Sequence, residues 1–169
     1  NNSMQRTALR AAADAERYVS QEEVVATNSQ MILRRWAIAW GLLAIAFALH
    51  VLDEALSDFL SVYNPAVERL RETLPYIPLP TFSFQAWLTL LIVAVSALLL
   101  LTVLVLRGTK GMRFLSYIFA LVMVGNGALH IGASIYTGRP MPGVYSSPLL
   151  LAAGTYLLIC VPRQSWRSS

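Results

Sequence analysis

Four stretches of the chain, residues 36–52, 86–106, 114–137 and 144–161, contain no Asp, Glu, Lys or Arg, and charged residues gather in the segments around them. A helix that crosses the hydrocarbon core of a bilayer needs about 20 such residues, because the core is about 30 Å thick and a helix rises about 1.5 Å per residue. The four stretches are long enough, the first with help from its flanks. The apolar/polar alternation of a barrel strand is absent, so the backbone must satisfy its hydrogen bonds inside helices. The pattern predicts an all-α fold: an integral membrane four-helix bundle over residues 31–169, preceded by a polar arm over residues 1–30.

Between the first two spans lies the longest loop. Asn64 followed by Pro65 is a helix start, a capping residue and then a proline at the first helical position. The segment that follows places Val67, Leu70 and Leu74 on one side and charges on the other, which predicts a short helix lying on the outer membrane surface. Pro75, Pro78 and Pro80 then enforce an extended approach to the second span. The N-terminal arm has a helix-forming stretch over residues 7–18 and a capping box at Ser20 and Glu23. It lacks the basic, apolar and small-residue layout of a secretory signal and reads as a cytoplasmic arm. Such an arm, when ordered, is held either by the protein's own inner loops or by a partner subunit.

Composition supports the membrane assignment. Hydrophobic residues make up 56% of the 169 residues and charged ones 13%, and the mean hydropathy is +0.56, too little polar surface for a soluble domain of this size. Arg34 and Arg35 precede the first span, Arg107, Lys110 and Arg113 fill the link between the second and third, and Arg163 and Arg167 follow the fourth; only Arg69, Arg71 and Arg139 fall on the other side. The positive-inside rule therefore places both termini in the cytoplasm. These flanks account for the net charge of +4. They lie scattered along membrane boundaries without a groove of stacking aromatics, which argues against a nucleic-acid partner.

Candidate chemistry is confined to a few positions. The chain has two histidines, His50 and His130, and every Asp and Glu lies at or before Glu72. If the first span continues as a helix past His50, then His50, Asp53, Glu54, Ser57, Asp58 and Ser61 share one face, because positions three and four apart are stacked. On the third span Asn126, His130 and Ser134 form a second polar stripe, and Gly125, Gly127 and Gly132 around them let a neighbouring helix approach closely. The second span is apolar all round and faces lipid or a partner.

Facing each other at the outer membrane face, the two stripes offer a divalent metal such as zinc, iron or manganese a ligand set of His50, Glu54, His130 and Asn126. Asp53 or Asp58 would then orient a ligand or act as a general base. The plainer alternative is a hydrogen-bonded cluster that ties the first helix to the third; both readings remain open at this point. Cys160 is the single cysteine, which excludes an intramolecular disulfide. Trp36, Trp40, Trp87 and Trp166 lie where amphipathic rings anchor helices at the interface. Tyr136, Tyr145 and Arg139 lie near the outer ends of spans three and four, within reach of something bound there.

The run His50-Val51-Leu52-Asp53-Glu54 at the end of a first span, Asn126 and His130 in NGALHI, and the Pro142-Gly143 turn before the last span together resemble the HXXEE-domain family over about residues 36–162. The resemblance implies a multi-span membrane protein named for that motif and a second histidine, and it implies no particular activity. The chain departs from the motif in carrying Asp53 where the first Glu stands, which shortens the reach of that carboxylate by one methylene.

Two functions of different class follow. One is a metal-dependent membrane enzyme acting on a lipid-like substrate; two histidines are too few for a histidine-rich di-iron desaturase. The other is an accessory subunit of a larger membrane complex, in which the polar cluster only locks the bundle. A transporter fits less well, because four spans without broken helices or a repeat offer little to rock.

Overall fold

The computed structural model describes residues 2–76 and 78–162, with side chains described for 17, 18, 20–76 and 78–162. Among the described residues the fold is all helical: α1 (Asn2–Leu56), α2 (Phe59–Thr73), α3 (Phe84–Leu106), α4 (Lys110–Thr137) and α5 (Ser147–Cys160). Arg163, Trp166 and Arg167 lie outside the described residues.

The C-terminal half of α1 is the centre of the molecule. Trp36, Trp40, Leu43, Phe47, His50 and Glu54 are buried, at alternating spacings of four and three that keep one face of a helix inward. Helix α3 packs on one side of this face, and the pair α4 and α5 on the other. Trp36 and Trp40 are fully buried and serve as core residues; interfacial anchoring does not describe them. The Trp36 indole donates to Ser116 Oγ at 3.0 Å and the Trp40 indole to the Leu98 carbonyl at 2.8 Å, so each ring joins α1 to a neighbour while its N–H stays satisfied.

The outward face is equally apolar. Ile38, Leu42, Ile45, Leu49 and Leu52 form an exposed stripe on α1, and Leu90, Ile92, Val93, Leu100 and Val103 are exposed on α3. Among the described residues three helices are long and apolar enough to cross a membrane: the Ser20–Leu56 part of α1, α3 and α4. The fourth apolar stretch is shorter as a helix than its sequence predicts. Its helical part is the 14 residues Ser147–Cys160, about 21 Å at 1.5 Å per residue, because Pro148 in the first turn follows a run of turns over residues 142–146.

Helix α1 differs from the expected arm and span. Ser20 and Glu23 lie inside one unbroken helix and start nothing. Residues 20–32 are exposed throughout, ahead of the packed segment that begins at Leu33. Helix α2 also starts earlier than expected, at Phe59, with Pro65 inside it. Asn64 has another use: its amide donates to the Phe82 carbonyl at 2.9 Å and its oxygen accepts from Phe82 N at 3.1 Å, tethering the approach to α3.

Helices α4 and α5 meet across two glycines. A Cβ on Gly154 would stand 2.8 Å from Val124 Cγ2 and 3.2 Å from the Ala120 carbonyl, and one on Gly127 3.1 Å from both Leu151 Cγ and the Ser147 carbonyl. Gly125 and Gly132 have nothing within 4 Å, so of the three glycines expected to admit a neighbour only Gly127 does.

Charge divides the bundle by its ends. Gly108, in the α3–α4 link, would bring a Cβ to 3.1 Å from Leu33, and Arg35 lines a cleft with Cys160 and Pro162. Arg34, Arg35, Arg107 and Lys110 therefore gather at one end, and the histidines lie at the other.

Candidate metal centre

Helix α1 ends at Leu56, and the chain turns through Asp58, which adopts the left-handed conformation (φ 55°, ψ 50°) that Asp tolerates better than most residues. This break ends the polar face proposed for residues 50–61. His50, Asp53, Glu54 and Ser57 precede it, whereas Asp58 and Ser61 follow it and are exposed. Ser61 Oγ donates only to the Asp58 carbonyl, at 2.8 Å.

His50, Glu54 and His130 come together, each offering one ligand atom, and these atoms lie within 4.8 Å of one another. His130 Nε2 is 3.1 Å and His50 Nε2 3.6 Å from the same carboxylate oxygen, Glu54 Oε1. His50 is fully buried and Glu54 is 6% exposed. The two imidazoles meet edge to face, with centroids 4.8 Å apart.

The other side of His50 is fixed by a chain of hydrogen bonds. Asp53 Oδ2 accepts from both Ser146 N and Ser146 Oγ, each at 2.8 Å, and Asp53 Oδ1 accepts from Ser57 Oγ at 3.2 Å. With its one proton given to a carboxylate, Ser146 Oγ can only accept from His50 Nδ1, 2.8 Å away. Nδ1 therefore carries the proton and Nε2 presents its lone pair toward Glu54 and His130. Asn126 Nδ2 donates to that lone pair at 3.0 Å.

Gly143 closes the cluster. Its φ is +82°, and a Cβ there would stand 2.9 Å from His50 Cε1 and 3.0 Å from His130 Cε1 and Nδ1. Only a glycine fits both the left-handed backbone and the contact. Phe59 covers the open side, its ring 5.9 Å from that of His130 and 5.8 Å from that of Trp87.

Other anticipated residues are elsewhere. Ser134 Oγ donates to the His130 carbonyl at 2.8 Å and accepts from Met141 N at 2.9 Å, so it anchors the α4–α5 loop. Tyr136 and Tyr145 are 92% and 75% exposed. Arg139 is exposed and makes no ion pair among the described residues. Ser146 and Gly143 were the residues hardest to anticipate: a serine ahead of Ser-Pro reads as a helix cap, and Pro-Gly as a plain turn.

Among the described residues the fold is all helical, with three helices long and apolar enough to cross a membrane and a cluster of two histidines and a glutamate. Residues 40–157 match the family described as "Protein of unknown function with HXXEE motif", and the chain belongs to it. Comparison with curated proteins and with solved structures gave no match.

Proposed function

We propose that this is an integral membrane metalloprotein in which His50, Glu54 and His130 hold a divalent ion, zinc or a chemically similar iron or manganese. The observation that carries the proposal is the orientation of His50: Nδ1 donates to Ser146, which Asp53 holds in turn, and Nε2 presents its lone pair beside Glu54 and His130, where an ion would take the place of the Asn126 N–H. Metal-ligating histidines are usually held in this way, the second ring nitrogen donating to an oxygen that fixes tautomer and orientation. Two His and one Glu leave a fourth position open, as catalytic zinc sites do, and a 2-His-1-carboxylate set equally suits non-haem iron. Asp53, its oxygens occupied by three hydrogen bonds, acts as a positioning residue for His50. Asn126 turns its N–H toward the cluster, which an ion cannot use as a ligand, so its part is to donate to His50 or to a bound substrate.

The apolar outer faces of α1 and α3 support the membrane placement, since contiguous apolar patches of this kind are rare on soluble monomers. In this reading α5 with its preceding turns completes a four-span bundle, and the basic end faces the cytoplasm. An ion near the outer face would supply Lewis-acid chemistry to a lipid-like substrate. The exposed residues 20–32 of α1 favour the alternative reading, an accessory subunit without catalysis of its own that offers this helix to a partner.

Zinc titration of metal-stripped protein tests the site. Zinc should raise the unfolding temperature of the wild type and leave Glu54→Gln unmoved; equal responses from the two would reject Glu54 as a ligand.

A further inference from the structure

A groove of about 480 Å³ lies between α2 and α4, with Asn126 and His130 among the residues that line it. Its walls are Phe59, Val62, Tyr63 and Ala66 on one side and Leu129 and Ala133 on the other. No Lys, Arg, Asp or Glu lines it. The Tyr63 hydroxyl already donates to the Pro80 carbonyl at 3.1 Å, so Asn126 and His130 supply the remaining polar side chains of the groove.

We propose that this groove binds one acyl chain of an uncharged membrane lipid, with the carbonyl end of the chain against His130 and Asn126. Three observations select this occupant. The volume falls in the range of about 300–1,000 Å³ typical of small-molecule sites, whereas a docked helix about 10 Å across needs a far broader trough. Leu129 at the rim is 72% exposed and continues the exposed apolar surface formed by Leu121 and Val122 on α4, so a chain enters sideways from the bilayer without crossing water. An anionic headgroup would meet the Glu54 carboxylate beside His130 with no Lys or Arg lining the groove to receive it. An ester or amide carbonyl carries no such penalty. The inference rests on the membrane placement proposed above and is independent of the ion.

The test uses the full chain in phosphatidylcholine nanodiscs containing a diacylglycerol with a photoactivatable diazirine on one acyl chain, the adducts being mapped by peptide mass spectrometry. Label should concentrate on α2 and on the segment of α4 around Leu129. It should fall severalfold in both Ala66→Trp and Ala133→Trp, which fill the groove from opposite walls, while each variant keeps the unfolding temperature of the wild type. Label spread evenly over the exposed residues of α3 and α4 and indifferent to both substitutions would overturn the proposal, as would a protein–protein cross-link through the groove in place of lipid. Groove labelling in a protein that binds no zinc would remove the metal reading and leave this one standing; zinc binding without groove labelling would do the reverse.

Discussion

Ser146 makes three hydrogen bonds at this point: it accepts from His50 and donates to Asp53 through both its hydroxyl and its backbone N–H. Replacing it with alanine strips His50 Nδ1 of its buried acceptor, a loss of about 1–3 kcal/mol. Ser146→Ala should accordingly lower stability in chemical denaturation and weaken metal binding by about 10- to 100-fold; unchanged affinity would show that His50 needs no such support. Gly143→Ala should be more damaging than its one added methyl suggests. It forces a left-handed non-glycine residue, at about 1–3 kcal/mol, and pushes the methyl into two imidazole rings. A variant that unfolds at the wild-type denaturant concentration would contradict the packing described here. The sequence exposed the residues of the cluster themselves, because two histidines and a carboxylate pair stand out in an apolar chain. It concealed their supports, since the partners of His50 come from Ser146, 96 positions away, and no local spacing links them.

At the scale of the helices, the apolar stretches were legible and their ends were not. Trp36 and Trp40 read as interfacial anchors because a tryptophan near a span boundary suits either role; burial by α3 and α4, which is a tertiary fact, makes them core. The polar face imagined for residues 50–61 failed at Asp58, where the chain leaves the helix through a left-handed residue without a glycine to announce it. Glycines were treated alike in the sequence, and the structure separates them. Gly154→Leu should drive α5 from α4 and cost about 1–3 kcal/mol of overpacking strain, seen as a lower unfolding temperature. Gly125→Ala and Gly132→Ala, with open space around both, should leave stability unchanged or raise it by up to about 1 kcal/mol through helix propensity. Destabilisation by either would mean that α4 has a neighbour on that face.

For the molecule as a whole, the separation of a basic end from a histidine end predicts topology. In a Cys160→Ser background, a cysteine at Lys110 and one at Arg139 should react with an impermeant thiol reagent from opposite sides of a sealed vesicle. Labelling of both from one side would refute the four-span arrangement. The three helices long enough to cross are consistent with that layout, and the short helix α5 is its critical element. Lateral access through the α2–α4 groove would then connect the lipid phase to the histidine cluster, so that the membrane is both solvent and source of ligand.

Two histidines and a glutamate, drawn from helices far apart in sequence, come together at one point, and the role proposed for them is to hold a metal ion. Elemental analysis of purified wild type beside His50→Ala and His130→Ala tests it most directly. Near-stoichiometric zinc, iron or manganese in the wild type and its loss from both folded variants is the predicted result. Absence of metal from all three proteins, with folding intact, would contradict the site and leave the cluster as a lock between α1 and α4.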